Sequence, residues 1–166
     1  MKEMPLSVCP VPTEQQPVNE YEQLKESFFF RWTTLNGWAY VRQLLWIWAW
    51  MWVLVGPIAS ASFPLNRQPL KFALAGSGGA LVFVVLWLVR LYLGWLYVRD
   101  RLGQATVTYE ESGWYDGQIW EKPPETIVRD RLIVTYEIQP ILNRIEQAFA
   151  VVALLIGIGS ILWVSS

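Results

Sequence analysis

Residues Leu44 to Trp52 read LLWIWAWMW, an apolar run in which four tryptophans occupy every second position. A period of two is typical of a strand. The run, however, opens a stretch without charged residues that continues to Phe63, and a helix needs about 20 mostly apolar residues to cross a bilayer. An open strand in lipid would leave its backbone groups without hydrogen bonds. The stretch therefore predicts a membrane helix.

On a helix these tryptophans fall on two faces. Trp46 and Trp50 lie one turn apart, whereas Trp48 and Trp52 lie on the other side. A single flat aromatic ladder is excluded by this geometry. We expect the indoles to act mainly by packing against lipid and neighbouring helices. Stacking on a flat pigment or quinone is the alternative.

The composition points to a membrane protein as a whole. Of 166 residues, 54% are hydrophobic and only 16% are charged, and eleven are tryptophan. Two further charge-free runs, Phe72 to Val89 and Ala148 to Val164, are long enough to span a bilayer. The sequence predicts an all-α membrane protein with three transmembrane helices, at residues 38–63, 70–98 and 140–166.

The residue inventory excludes several kinds of site. There is no histidine and only one cysteine, so the commonest metal ligands and the usual neutral-pH general base are missing. We therefore expect no metal and no cofactor held by this chain alone, although a chlorophyll, carotenoid or lipid at an interface remains open. The net charge of −1 argues against a nucleic-acid partner.

The first twenty residues are polar and proline-rich, and they do not predict a cleavable signal. Residues 1–18 predict an extended arm. Asn19 and Glu22 have capping-box spacing, and apolar residues then recur at helical intervals up to Asn36-Gly37. Residues 19–37 therefore predict an amphipathic helix at the membrane interface.

The long connection between the second and third spans contains a pattern typical of a hairpin and, after it, one typical of a helix. An alternating segment at residues 106–109 and an Asp116-Gly117 turn predict a small β-hairpin within residues 99–122. Its carboxylates predict solvated charges rather than a metal site. Residues 123–139 predict an amphipathic helix interrupted by Pro140, with a strand at Leu132 to Ile138 as the alternative.

Particular residues within the spans carry further expectations. Gly56-Pro57 predicts a kink or local unwinding of the first span. Arg90 predicts an anchor that reaches the interface, with lipid or pigment contact as the alternative. Small residues in the second and third spans predict close helix packing; they are Ala75, Gly76, Ser77, Gly78, Gly79, Ala80, Ala153, Gly157 and Ser160.

Basic residues predict the topology. The N-terminal segment has four, the first connection two, the second connection six and the C-terminal tail none. Cytoplasmic loops are enriched in lysine and arginine. The N terminus and the hairpin are therefore expected together on the cytosolic or stromal side.

Three stretches carry a family resemblance: Cys9 to Tyr21 (CPVPTEQQPVNEY), Ser112 to Trp120 (SGWYDGQIW) and Arg129 to Leu132 (RDRL). Together they resemble the conserved hypothetical chloroplast reading frame thirty-six family of cyanobacteria and photosynthetic eukaryotes. The resemblance covers almost the whole chain. It implies an integral thylakoid membrane protein connected with photosynthesis, and it implies no catalytic residues.

We therefore expect a non-enzymatic accessory or assembly factor that binds subunits of a photosynthetic membrane complex. The alternative is a pigment, lipid or quinone carrier, and a membrane enzyme or transporter ranks third, since no nucleophile–base pair and no intramembrane acid is evident. The residues expected to bind a partner are Cys9, Pro10, Pro12, Glu14, Gln15, Pro17, Asn19, Tyr21, Trp114, Tyr115, Asp116 and Trp120. The residues that would contact pigment or lipid are Trp46, Trp48, Trp50, Trp52 and Arg90.

Overall fold

The computed structural model describes residues 9–35, 37–110 and 117–165. Its regular elements, in chain order, are α1 Pro17–Glu26, α2 Gly37–Ser62, α3 Pro69–Gly103, β1 Thr106–Tyr109, β2 Gln118–Glu121, α4 Pro124–Ile133 and α5 Gln139–Ser165. Short 3-10 turns lie at Thr13–Gln15 and Arg31–Thr34, and a π-helical turn at Val134–Ile138 joins α4 to α5.

Three of the helices in this described part are long and apolar enough to cross a membrane. They are α2, α3 and the continuous helix Pro124–Ser165 that contains α4 and α5. The predicted all-α architecture with three apolar spans is confirmed by length and composition, and so is the small two-stranded sheet.

Helix α3 is the central element of the bundle. It packs against both α2 and α5, and it also contacts α1 and α4. Its buried residues recur every three or four positions, as expected for one helix face; they are Gly76, Ala80, Val84, Leu88, Leu91, Trp95, Val98 and Leu102. The helix continues to Gly103, beyond the predicted end at residue 98, because this buried face extends past the apolar run.

Glycines in α3 allow α2 to approach closely, as the sequence predicts. A Cβ atom at Gly76 would overlap the Trp52 ring, and one at Gly79 would lie 2.6 Å from Val55. The small residues of α5 behave differently. A Cβ atom at Gly157 would meet nothing within 4 Å, so no helix of the described chain packs closely there.

Helix α2 runs unbroken through Pro57 to Ser62. Of the two outcomes predicted at Gly56-Pro57, local unwinding is therefore wrong, and a kink stays a prediction. Hydrocarbon supplies no alternative hydrogen-bond partners for freed backbone groups, which favours keeping the helix intact around one missing bond.

The helix that the sequence predicts at the interface is shorter in the structure. α1 begins at Pro17 rather than at Asn19, whose side-chain amide donates to the Thr13 carbonyl at 2.7 Å, and it ends at Glu26 rather than at residue 37. The chain turns there because Phe29 and Phe30 pack on α3. Phe29 stacks on Trp87 with ring centroids 4.4 Å apart, so tertiary packing overrides the helical period.

The two strands pair antiparallel, with Thr106 opposite Glu121 and Tyr109 opposite Gln118. The predicted pair of strands thus exists, and its first strand is the alternating segment Thr106–Tyr109. The predicted turn residue Asp116 lies outside the described residues.

Helix α4 continues into α5 through the π-helical turn, so Pro140 does not interrupt it and the alternative strand at Leu132 to Ile138 is wrong. A proline ring clashes with the carbonyl four residues earlier in an α-helix. Here that carbonyl belongs to Tyr136, which lies within the wider π turn.

Candidate functional site

The predicted partner-binding arm packs on the sheet. Val11 is buried against Val107 and Tyr109, with Cys9 and Trp120 at the edge of this small apolar cluster. The sequence left open whether arm and hairpin bind a partner or pack on each other. In the structure the described part of the arm and the sheet pack on each other.

Polar contacts fix the arm in place. The Gln15 side-chain amide donates to the Glu110 carbonyl at 3.0 Å and accepts the Glu110 backbone N–H at 2.9 Å. Arg101, near the end of α3, donates to the Gln15 carbonyl at 3.2 Å and pairs with Glu20 at 3.2 Å. Burial raises the pKa of the Glu20 carboxyl, and the charge of Arg101 lowers it by a smaller amount.

A buried ion pair joins the sheet to α3 and α4. Lys122 Nζ donates to Asp130 Oδ2 at 2.8 Å and to the Leu102 and Arg101 carbonyls at 3.0 and 3.2 Å. Both charged side chains are 1% exposed. An ammonium group satisfies the last carbonyls of a helix and interacts favourably with its dipole. All three donors of Lys122 are used, so this pair is a structural clamp.

A second polar cluster joins α1 to the π-helical turn. The Tyr21 hydroxyl and Lys25 Nζ both donate to Glu137 Oε2, the latter at 2.9 Å. Burial and then the bond to Glu137 raise the pKa of Tyr21, and the hydrogen bond to Glu137 raises that of Lys25. The Tyr21 ring packs on Trp95 of α3, with centroids 6.2 Å apart.

The predicted partner-binding residues therefore divide by exposure. Pro10 and Glu14 are exposed, whereas Pro17 and Tyr21 are buried; Cys9, Pro12, Gln15, Asn19 and Trp120 are half-buried. Trp114, Tyr115 and Asp116 lie outside the described residues. That these side chains bind a partner stays a prediction.

The four tryptophans of α2 separate onto the two faces expected from helical geometry. Trp48 and Trp52 point inward, in an edge-to-face contact with centroids 6.0 Å apart. Trp46 and Trp50 point away from the bundle and are 57% and 63% exposed. We call this outward pair the indole pair. Arg90 is exposed, and its guanidinium carbon lies 5.5 Å from the centre of the Phe30 ring.

A groove of about 1130 Å³ lies between α2 and α5, with α3 as its floor. Its walls are almost entirely apolar, and Trp48 is the member of the tryptophan run that lines it. At one end Tyr40, Arg144 and Gln147 contribute polar atoms. The groove is absent from the sequence prediction because its walls come from three separate helices.

The sequence does not predict two of the residues at that polar end. Tyr40 is 3% exposed, and its hydroxyl has no hydrogen-bond partner among the described residues. Arg144 was counted only as a topology signal. The available hint is its position, one turn before the charge-free run that starts at Ala148.

The part of the chain that the structure describes contains no group of three histidine, cysteine or acidic side chains close enough together to hold a metal ion. The carboxylates of the strands, Glu110 and Glu121, are exposed. The chemistry visible in the described residues is therefore that of packing surfaces and one amphipathic groove.

Comparisons with known proteins identify relatives along almost the whole chain. Residues 9–151 match the family model described as CGLD27-like, Conserved in the green lineage and diatoms 27. The ycf36 protein of Porphyra purpurea is 46% identical over 155 residues, covering 93% of this chain and 94% of its own length. The ycf36 protein of Pyropia yezoensis is 47% identical, covering 90% of each chain.

The chloroplastic protein Conserved in the Green Lineage and Diatoms 27 of Arabidopsis thaliana is 46% identical over 95% of this chain and 47% of its own length. No solved structure matches. The resemblance to reading frame thirty-six is thereby confirmed, and the chain belongs to the CGLD27-like family, which includes the ycf36 proteins.

Proposed function

We propose that the protein is a non-enzymatic accessory or assembly factor of a photosynthetic complex in the thylakoid membrane. It contacts a membrane-embedded subunit of that complex through the indole pair, Trp46 and Trp50. The chloroplastic relative and the three apolar helices support the location. Charged side chains at the C-terminal end of α3, such as Arg101, Lys122 and Asp130, are engaged in structural pairs, which supports a role without catalysis.

The observation that carries the proposal is the depth of the indole pair. Trp50 lies midway along α2, and both side chains are more than half exposed. Tryptophan favours the membrane interface, where its N–H finds water or headgroups. Hydrocarbon offers no acceptor, and an unpaired polar group there is unfavourable. A neighbouring protein supplies both an acceptor and a packing surface.

The proposed orientation follows from charge. The arm, α1, the sheet and α4 meet at the C-terminal end of α3 through the contacts of Arg101 and Lys122. Ten basic residues belong to the segments that contain these elements and two to the opposite connection. The positive-inside rule supports a cytosolic or stromal position for this assembly.

A second candidate function is pigment or quinone binding on the same face of α2. The outward indoles offer flat π surfaces on which a conjugated ring stacks. The arm remains a candidate docking surface as well, through its exposed members Pro10 and Glu14. The candidate functions predict different molecules bound to the protein after its purification from native membranes.

The test is affinity purification of the tagged full chain from native membranes in mild detergent. The wild type is compared with the double variant Trp46→Leu/Trp50→Leu, because leucine keeps the apolar character and removes the indole N–H. We expect the wild type to retain identified photosynthetic subunits and the double variant to lose them, while both accumulate equally.

The matched control is Phe83→Leu, which removes another exposed aromatic ring from the membrane face of α3. It should retain the subunits. Subunits retained by the double variant would refute the proposal, and selective loss of visible absorbance without loss of a protein would favour the pigment candidate.

A further inference from the structure

The groove between α2 and α5 is a surface separate from the indole pair and has a different chemistry. Its floor and walls include small residues that leave space rather than fill it. A Cβ atom at Gly78 would meet nothing within 4 Å, and one at Gly159 would meet only Leu74 at 4.0 Å. Apolar residues such as Leu44, Leu81 and Val151 complete the lining. An apolar chain fits this space.

One end of the groove contains a buried donor that has no hydrogen-bond partner among the described residues. The Tyr40 ring stacks on Trp32 at 5.2 Å, which fixes its position, and its side chain lines the groove. Its hydroxyl is buried and makes no hydrogen bond within the described chain. Buried polar groups are nearly always hydrogen-bonded in native proteins. The hydroxyl therefore indicates a ligand with an oxygen acceptor at this end.

A positive charge lies at the same end. Arg144 Nη1 donates to the Leu35 carbonyl at 2.6 Å and to the Thr33 carbonyl at 3.4 Å. These contacts orient the guanidinium and leave Nε and Nη2 without an acceptor among the described residues. No carboxylate of the described chain forms an ion pair with Arg144. The charge is therefore free to bind an anion.

The polar end lies at the depth of lipid headgroups. Tyr40 precedes the charge-free run of α2 by one turn, and Arg144 precedes that of α5 by one turn. Arginine and tyrosine are favourable at membrane interfaces, where a polar tip meets the headgroups and the apolar part faces the acyl chains. From there the groove continues along the spans to Trp163.

We propose that the groove binds an anionic membrane lipid, with its acyl chains along α3 and its headgroup on Tyr40 and Arg144. The largely apolar lining and the cation Arg144 at one end favour this occupant. An uncharged carotenoid would leave Arg144 without a counter-ion, and a partner helix would need an acidic residue at the interface. This inference is independent of the partner proposed for the indole pair.

The experiment uses the full-length protein purified in mild detergent and exchanged with phosphatidylglycerol or phosphatidylcholine before native mass spectrometry. The wild type should retain one phosphatidylglycerol in preference to phosphatidylcholine. Arg144→Gln should lower this preference by about tenfold, as expected for the loss of a charged hydrogen bond. Arg144→Lys should preserve much of it.

The matched control is Arg42→Gln, which removes an exposed cation two residues from Tyr40 that does not line the groove. It should leave the preference unchanged. Tyr40→Phe should weaken binding without removing the charge, and Gly78→Leu should reduce binding by filling the groove. These two variants keep the test valid if Arg144→Gln fails to fold.

Equal retention of the two lipids by the wild type would overturn the proposal. So would an equal loss in Arg42→Gln and Arg144→Gln, since that result means general attraction of anionic lipid. The purified protein could instead retain a stoichiometric pigment or a partner peptide that Gly78→Leu displaces. That result would assign the groove to this other occupant and would also refute lipid binding.

Discussion

The C-terminal end of α3 and the apolar spans differ in how far their side chains have partners within the chain. At the C-terminal end of α3, the arm, α1, the sheet and α4 form what we call the cap, where charged and polar side chains bind each other, as Lys122 and Asp130 do at 1% exposure. Along the spans, α2 and α5 leave large apolar side chains exposed and a groove of about 1130 Å³ between them.

This difference separates structure from recognition. The cap joins α3 to the helix that contains α4 and α5 through contacts that use the cap's own donors and acceptors. Among the described residues of the spans, the indole pair is exposed, the Tyr40 hydroxyl has no hydrogen-bond partner, and the Arg144 guanidinium has no carboxylate partner. We therefore expect changes in the cap to alter stability and changes on the spans to alter binding.

The largest expected effect on stability is at the buried ion pair. Lys122→Met should destabilise the protein by about 3 to 5 kcal/mol, because it leaves the Asp130 carboxylate buried and removes the donor to the last carbonyls of α3. Denaturant unfolding in detergent, followed by circular dichroism, measures this loss.

The control is Arg129→Met, which removes the other cation bound to Asp130. Its side chain is 58% exposed, so the loss should be below about 1 kcal/mol. Similar losses for the two variants would mean that Lys122 is not a buried clamp.

The next largest effect distinguishes two glycines of α3, Gly76 and Gly78, because only Gly76 lies against α2. Gly76→Ala should destabilise the protein by about 1 to 3 kcal/mol, because the new methyl group overlaps the Trp52 ring. Gly78→Ala should leave stability unchanged or raise it by up to about 1 kcal/mol, because its Cβ meets nothing and alanine favours a helix. Thermal melting in one detergent compares them, and a reversed order would contradict the α2–α3 packing.

A smaller effect concerns the arm. Gln15→Ala removes both side-chain bonds to Glu110 and should lower local stability by about 1 kcal/mol, since each exposed hydrogen bond contributes little net. Hydrogen exchange should accelerate at Glu110 and in β1 while α3 stays protected. Unchanged exchange at Glu110 would show that the arm is not held on the sheet.

The smallest effect is a pH dependence in α1. Because burial raises the pKa of Glu20 above its unfolded value, the folded state binds more protons there, and stability falls as pH rises from about 4.5 through the folded pKa. Glu20→Gln should remove this slope and leave stability at pH 7 equal or slightly higher. If the stability of the wild type, relative to Glu20→Gln, rises as the pH increases above about 4.5, the pKa of Glu20 is not raised by folding.

The sequence predicts elements better than the contacts between them. Charge-free runs locate α2, α3 and α5 because the bilayer imposes length and apolarity on each span separately. The alternation of Thr106 to Tyr109 similarly predicts β1. The end of α1 at Glu26 is not predictable from its own period, because Phe29 and Phe30 turn toward α3 for tertiary packing.

The sequence does not predict the polar sites either, because their members come from different parts of the chain. The sequence prediction uses Lys122 only as a basic residue of the second connection and Asp130 only as part of the Arg129 to Leu132 stretch, whereas the fold brings them together at the end of α3. Tyr40 and Arg144 lie on different helices and share no local pattern. The groove arises because α2 and α5 both pack on α3 and leave a gap between them, and no single segment encodes that separation.

The most direct test of the central claim is site-specific photo-crosslinking in native membranes, with p-benzoylphenylalanine in place of Trp50 on the span or of Glu14 on the cap. The account predicts a discrete adduct between position 50 and a photosynthetic membrane subunit, and little or none from position 14. Adducts with lipid alone from position 50, together with a subunit adduct from position 14, would contradict it and place recognition on the cap.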